Sequence, residues 1–462
     1  MICDGMRKYD KKLIGRSFAR TLYSAEPKNN FSLWCWWQDD LAKIGKFLVD
    51  NSRKNDWLSS HVSLHKKIAG EAQAIASKIK QLNLSELSDN QLPLLYADFR
   101  IKTEKFNALS MEIDALDLVL EEELKDAISS TFVAKREQNE VYTIITTPSE
   151  LSAPKKEELM FYRLALTLKE TKKYDERLAD KILSDLWWTE LNWRAGDGKT
   201  LQSIKKGADN IFKEAKDIPR HIRQLKNYPD EIKALKKKYL QNKDIVLLNN
   251  IFEEYAFLHE LRKETQMKTS FSLYLIFEEI SKRFGISVNG LEVYSPDELI
   301  LLLEKDRKIS DEEIARRLQC STLFINNNKV LFKLGEDAIK LKTFEQSKES
   351  DVLRDFSGLP ASLGKAVGKV KIALSAADAL KKIKKGDILV TGMTMPDFVP
   401  VMKKAAAIIT NEGGATCHAA IISREFNIPC IVGTKIATKV LKDGMLVEVN
   451  ANHGVVKIVK NL

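Results

Sequence analysis

The sequence predicts a mainly α-helical N-terminal body joined to a smaller C-terminal α/β domain. Three observations carry that prediction. Glycine is uneven: ten lie in residues 1–357 and ten more in residues 358–462. Helix interiors avoid glycine, whereas tight turns and phosphate loops need it. Apolar residues in the first region recur at helical spacing, and the last hundred residues alternate strand-like with helix-like runs, as a sheet with helices packed on it does.

In the body, Ile68, Ile75, Ile79 and Leu82 fall on one helical face. So do Ile113, Leu116, Leu120 and Leu124, and again Leu248, Ile251, Tyr255 and Leu258. Capping chemistry marks three helix starts. Thr147-Pro148-Ser149-Glu150 and Ser295-Pro296-Asp297-Glu298 each offer an N-cap hydroxyl, a proline at N1 and a glutamate at N3. Ser310-Asp311-Glu312-Glu313 offers the same box without proline. Val141 to Thr146 and Val330 to Phe332 read as extended segments. The polar run 345–351 is expected to be a hinge, reaching roughly 25 Å when extended, within a linker set at 345–357. The helical body is accordingly 1–344 and the C-terminal domain 358–462.

In that domain Lys369–Leu374, Asp387–Thr391, Ala407–Thr410 and Cys430–Val432 read as strands. Ala376–Ile383, Asp397–Lys404 and Thr416–Phe426 read as the helices between them, and Leu446–Val449 with Val455–Val459 as a closing pair.

Composition narrows the function classes. The chain has 462 residues, 44% apolar and 30% charged, and no apolar run of the ~18 residues that a membrane span needs. Its first residues lack the apolar stretch of a signal peptide, so the expected location is the cytoplasm. Five widely spaced cysteines without a CxxC argue against a disulfide framework and against a cysteine zinc site; no metal site is expected. Residues 358–462 hold 15 Lys+Arg against 7 Asp+Glu, most of the chain's net +10. A small basic domain suits a phosphate-bearing partner. It has only two aromatics, Phe398 and Phe426, and no recognition motif, so nucleic-acid binding is not expected.

The segment with chemistry is Thr410-Asn411-Glu412-Gly413-Gly414-Ala415-Thr416-Cys417-His418, continuing to Glu425. An apolar strand ends, two glycines follow, and Thr416 is placed to N-cap a helix whose second residue is His418. There the free backbone N–H groups and positive end of the helix dipole disfavour imidazolium, leaving a neutral nucleophile. The same groups suit the dianion that a phosphorylated ring would carry. Gly413, Gly414, Thr416, Cys417 and Arg424 are the supporting candidates, and Cys417 is expected to be a small structural neighbour rather than a reactive thiol.

These residues, with Ile428-Pro429, Val432-Gly433, Ser362 to Gly368, Gly386 to Val390, Asp443-Gly444 and Gly454 to Val456, resemble the mobile domain of phosphoenolpyruvate-utilising enzymes. That family includes phosphoenolpyruvate synthase, pyruvate phosphate dikinase and rifampin phosphotransferase. Ser423 departs from it, standing where the family usually has alanine. The resemblance implies a swivelling domain with His418 as its phosphorylated residue. It also implies a phosphotransferase relay supplied by a separate ATP-grasp protein, with Mg²⁺ and ATP bound at that partner and none held firmly by this chain.

No ATP-grasp segment or glycine-rich nucleotide loop stands out in the body, and nothing in this sequence follows the carrier region. The phosphoenolpyruvate-binding barrel of the synthase and dikinase is therefore not expected. The order of helical body then carrier resembles the last two parts of rifampin phosphotransferase, through short patterns between Phe252 and Arg317. On that basis His259, Arg262, Lys263 and Lys268 are acceptor-site candidates for a small molecule, and Trp34, Trp36 and Trp37 are core or interface residues. The alternative is a non-catalytic regulator or scaffold that uses the phosphohistidine domain as a sensor.

Overall fold

In a computed structural model, which describes residues 9, 13, 20–26, 31–36, 38–54, 56–191, 198–215, 217–326, 329–343, 355–414, 417–434, 436–452 and 454–460, a helical body and a C-terminal sheet domain are both present. The chain divides into two compact units: residues 1–116, 151–227 and 257–347 form the first, and residues 117–150, 228–256 and 348–462 the second.

A four-stranded antiparallel sheet belongs to the first unit. Its strands are β1 (Arg20–Glu26), β2 (Phe31–Trp36), β3 (Ser321–Asn326) and β4 (Lys329–Leu334), in the order β2-β1-β3-β4. Strand β4 contains the expected extended segment at Val330 to Phe332. Trp34 and Trp36 lie in β2, and Trp37 lies outside the described residues. The helices include α1 (Gln38–Ser52), α2 (Trp57–Gln81), α3 (Gln91–Ser110) and α4 (Glu112–Thr131). Helix α2 buries Ile68, Ile75 and Ile79, and α4 buries Ile113, Leu116, Leu120 and Leu124, as their spacing predicts. The main core of this unit joins α2 and α3 to the end of a 42-residue helix and the short elements after it, through Tyr96, Phe99, Ile276, Ile280 and Leu302.

After α4 come α5 (Lys135–Ile145), α6 (Ala153–Thr171), α7 (Glu176–Leu186), α8 (Leu201–Glu214), α9 (Ile218–Lys237) and α10 (Lys243–Phe284). Two expectations fail here. Val141 to Thr146 is not extended: it ends α5, where Val141 and Ile145, four residues apart, are both buried. Burial of one helical face outweighs the β preference of its branched residues. Thr147-Pro148-Ser149-Glu150 starts no helix either. The Glu253 carboxylate accepts from both the Ser149 N–H (3.1 Å) and its hydroxyl (2.6 Å), and the following helix begins only at Ala153, after Ser152. Glu253 is in turn held by Lys236, a buried cation that also donates to Ile145 O at 2.8 Å and Asn249 Oδ1 at 3.1 Å.

The other two caps form. Ser295 and Glu298 make both bonds of a capping box on α12 (Pro296–Lys305), after α11 (Val288–Leu291). Ser310 accepts from Glu313 N–H to start α13 (Asp311–Gln319), and α14 (Gly335–Thr343) follows.

Residues 345–354 of the expected linker lie outside the described residues; its last part, β5 (Asp355–Ser357), already pairs with the C-terminal strand. The domain's sheet has eight strands in the order β5-β12-β11-β7-β8-β9-β10-β6, with β6 (Leu359–Ser362), β7 (Lys365–Ile372), β8 (Ile388–Thr391), β9 (Ala407–Thr410), β10 (Cys430–Val432), β11 (Leu446–Asn450) and β12 (Val455–Lys460). Strands β7 to β10 run parallel; the remaining pairs are antiparallel. Every residue of β8 and β9 is buried, as strands covered on both faces are. The connections include α15 (Ala376–Lys382), α16 (Val399–Met402), α17 (His418–Glu425) and α18 (Ala437–Val440). The expected helix 397–404 is only a 3₁₀ turn, Pro396–Phe398, leading into α16.

Candidate functional site

Parallel strands deliver their following loops to the same edge of the sheet. Strands β8 and β9 are neighbours, with Thr391 beside Thr410. Their pairing continues past both ends: Asn411 N–H donates to Thr391 O at 3.1 Å, and Glu412 N–H to Gly392 O at 2.9 Å. From beyond β10, Thr434 donates to Thr410 O through its N–H (3.1 Å) and its hydroxyl (2.8 Å). The loops after β8 and β9 are thus tied together at their roots.

The loop after β9 leads directly into α17. His418 is the first helical residue, not the second, and the N-cap is Cys417, with extended backbone (φ −67, ψ 159). Thr416, expected at that cap, lies outside the described residues, as do Ala415 and His453. The shift places His418 at the very start of α17. Among those residues the turn is closed by Cys417 N–H donating to Gly414 O at 3.2 Å. Gly413 has φ +116, and a Cβ there would meet Cys417 Sγ at 2.6 Å, so both backbone and space require glycine. A Cβ at Gly414 would come within 2.6 Å of Glu121 Oε2.

The ring of His418 is half-buried and anchored. Its Nδ1 lies 2.8 Å from the hydroxyl of Thr394, itself buried in the loop after β8. In the tautomer in which Nδ1–H donates to that hydroxyl, the lone pair of neutral imidazole sits on Nε2. Thr394 is a residue that sequence reading missed. The available signal was its place in the loop after one parallel strand, beside the loop bearing the histidine.

Burial pushes the Cys417 thiol up to about 11, so it is protonated near neutrality. Burial likewise raises the Tyr142 hydroxyl well above its ordinary range. Arg424, in the last turn of α17, donates to Thr146 Oγ1 at 3.2 Å, and burial lowers its pKa. Six residues from His418 on an eight-residue helix, it is placed toward α5 rather than toward Thr394.

The acceptor-site candidates lie on α10 in the first unit, whereas His418 belongs to the second. Arg262 brings two of them together: Nη2 is 3.2 Å from His259 Nδ1, and Nη1 donates to Asp114 Oδ1 at 2.9 Å and Ser110 O at 3.2 Å. Lys268 is turned to Glu264 at 2.5 Å, and Lys263 is half-buried on the same helix.

Residues 383–454 match the model of the "PEP-utilising enzyme, mobile domain" family. This region is a mobile domain of the phosphoenolpyruvate-utilising enzymes. Its relatives include the phosphoenolpyruvate synthase of Aeropyrum pernix, 58% identical over 112 residues, which are 24% of this chain and 13% of that protein. The synthase of Pyrococcus furiosus is 43% identical over 37% of this chain and 22% of its own length. The probable synthase of Archaeoglobus fulgidus is 42% identical over 33% of this chain and 22% of its own. The chain therefore spans less than a quarter of the length of these relatives. The mobile domain accounts for the glycine-rich loop and for the parallel strands that frame His418. Among the described residues, no helix is long and apolar enough to cross a membrane.

Proposed function

We propose that this chain is a phosphotransferase component in which Nε2 of His418 accepts a phosphoryl group from one site and passes it to an acceptor at another. The observation that supports this is the 2.8 Å contact of His418 Nδ1 with the Thr394 hydroxyl at the start of α17, which orients the ring. In the first transfer the Nε2 lone pair attacks phosphorus, the bond from phosphorus to the donor's leaving oxygen breaks, and that oxygen keeps the electron pair. In the second, an acceptor oxygen attacks the same phosphorus and the P–N bond breaks, returning the pair to Nε2. The amides of the Gly413–Gly414 loop and the first turn of α17, with Thr416, receive the charge on the phosphoryl oxygens, with Cys417 packing beneath them. Arg424 supports the site from the far end of α17, through its bond to Thr146.

The mobile-domain match and the phosphoenolpyruvate synthase relatives support this reading. The donor is a separate ATP-grasp protein, which binds ATP and Mg²⁺; the acceptor is a small molecule oriented by His259, Arg262, Lys263 and Lys268. The test is incubation with γ- and β-labelled ATP and an ATP-grasp partner. Acid-labile, base-stable label is expected on the wild type and none on His418→Ala. Label of equal intensity on that variant would defeat the proposal. Charged protein that alters partner binding but passes label to no small molecule would favour the regulator reading instead.

A further inference from the structure

A second cluster lies in the first unit, remote in sequence from the mobile domain. His61 and His65 are four residues apart on α2 and therefore share a face. Their Nε2 atoms both approach one oxygen of Glu112, in the first turn of α4: His65 at 2.6 Å and His61 in still closer contact. All three are buried, at 6%, 5% and 0% exposure. The other carboxylate oxygen, Glu112 Oε2, is buried with no hydrogen-bond partner.

A buried carboxylate with an unsatisfied oxygen is costly, because the group has lost its water without full replacement. Two imidazoles on Oε1 leave that cost at Oε2 standing. A cation seated between the two rings and both carboxylate oxygens would remove it. The donor atoms of the trio all lie within 4.8 Å of one another. Two histidine nitrogens at i and i+4 on a helix plus a carboxylate are a donor set suited to zinc, with metal–ligand bonds of about 2.0–2.2 Å. To reach tetrahedral spacing the His65 ring would move away from Oε1 by only about 0.7 Å.

The surroundings favour the same species. Trp57 stacks on His61 with ring centroids 4.4 Å apart and planes 16° apart, and His61 meets His65 edge-on at 5.0 Å, so both rings are oriented by packing. Arg262 is engaged by Asp114 at 2.9 Å.

We propose that His61, His65 and Glu112 bind a divalent transition-metal cation of the zinc class, which staples α2 to α4. Nothing in the phosphoryl-transfer reading requires this site, and the two stand or fall separately.

The test uses full-length protein expressed with supplementary Zn²⁺ and, in parallel, Co²⁺. One zinc per chain by elemental mass spectrometry is expected, and visible d–d absorption from the cobalt form. Chelation should lower the thermal midpoint of the wild type. Glu112→Gln and His65→Gln should lose the bound metal and the chelator response while keeping wild-type helical circular dichroism. Should either variant fail to fold, the wild-type metal content and chelator response still decide. Wild-type protein with no stoichiometric zinc or cobalt, and a midpoint indifferent to metal and chelator, overturns the proposal and marks the trio as a core hydrogen-bond network.

Discussion

Thr394 stands twenty-four residues before His418, and its hydroxyl is hydrogen-bonded to Nδ1 of that ring at 2.8 Å and orients it. Thr394→Val keeps the shape of the side chain but removes that bond. Phosphorylation of His418 is expected to slow by about 10- to 100-fold, the equivalent of one hydrogen bond to a charged group; single-turnover labelling measures it, with circular dichroism unchanged. Gly413→Ala should be more damaging, since φ +116 strains any L side chain and the new Cβ would strike Cys417 Sγ. Labelling should fall along with a loss of stability of about 1–3 kcal/mol. Cys417 should behave oppositely. With its thiol pushed up to about 11, it should resist iodoacetamide at neutral pH, and Cys417→Ser should retain labelling. The histidine, the glycines and Cys417 stand together in one contiguous motif, which could be singled out from sequence. Thr394 could not, because its partner is reached only by folding β8 against β9.

Among the elements, the N-terminus of α12 shows local chemistry and tertiary contacts agreeing. Ser295 and Glu298 form the reciprocal cap that their spacing predicts, and Arg317 then grips both oxygens of Glu298, at 2.8 and 2.9 Å. Partial burial would raise the Glu298 pKa, but Arg317 and the Ser295 N–H together hold it below its ordinary value. The folded state thus favours the carboxylate. Its contribution is fully present above the unfolded carboxyl pKa of about 4.3 and is lost as pH falls through the lower folded value. Urea midpoints recorded on acidification should decline through that window, and Glu298→Gln should flatten the decline by about 1 kcal/mol, since the side chain is partly solvated. At residues 147–150 the same local signal loses. The Thr147 hydroxyl that would have capped donates instead to Thr143 O at 2.7 Å, and Glu253, held by Lys236, takes the N–H and hydroxyl of Ser149. Local sequence offers a cap; a carboxylate from a distant helix decides whether it forms.

Across the whole molecule, each unit closes its own core: Phe99 of α3 is fully buried with Ile280 in the first, and Ile409 with Val390 and Val447 in the second. Phe99→Ala should cost about 3–5 kcal/mol through lost burial and the cavity left behind. Hydrogen exchange should then speed in peptides from residues 75–99 and 276–303 while those from 388–410 keep wild-type rates. Equal acceleration in both sets would mean the two cores unfold together.

Sequence by itself determined the mixed architecture and singled out His418 as the candidate residue, because glycine, period-2 and period-3.6 signals and a glycine-rich loop before a helix are local properties of the chain. Even His61 and His65 were legible as an i, i+4 pair on one helix, though that spacing went unused. Tertiary structure alone decided what those residues meet: Thr394 against His418, Glu253 against Ser149, Glu112 against both histidines. Each pairing joins side chains from separate elements, and the burial and charge that set their chemistry exist only after the elements pack.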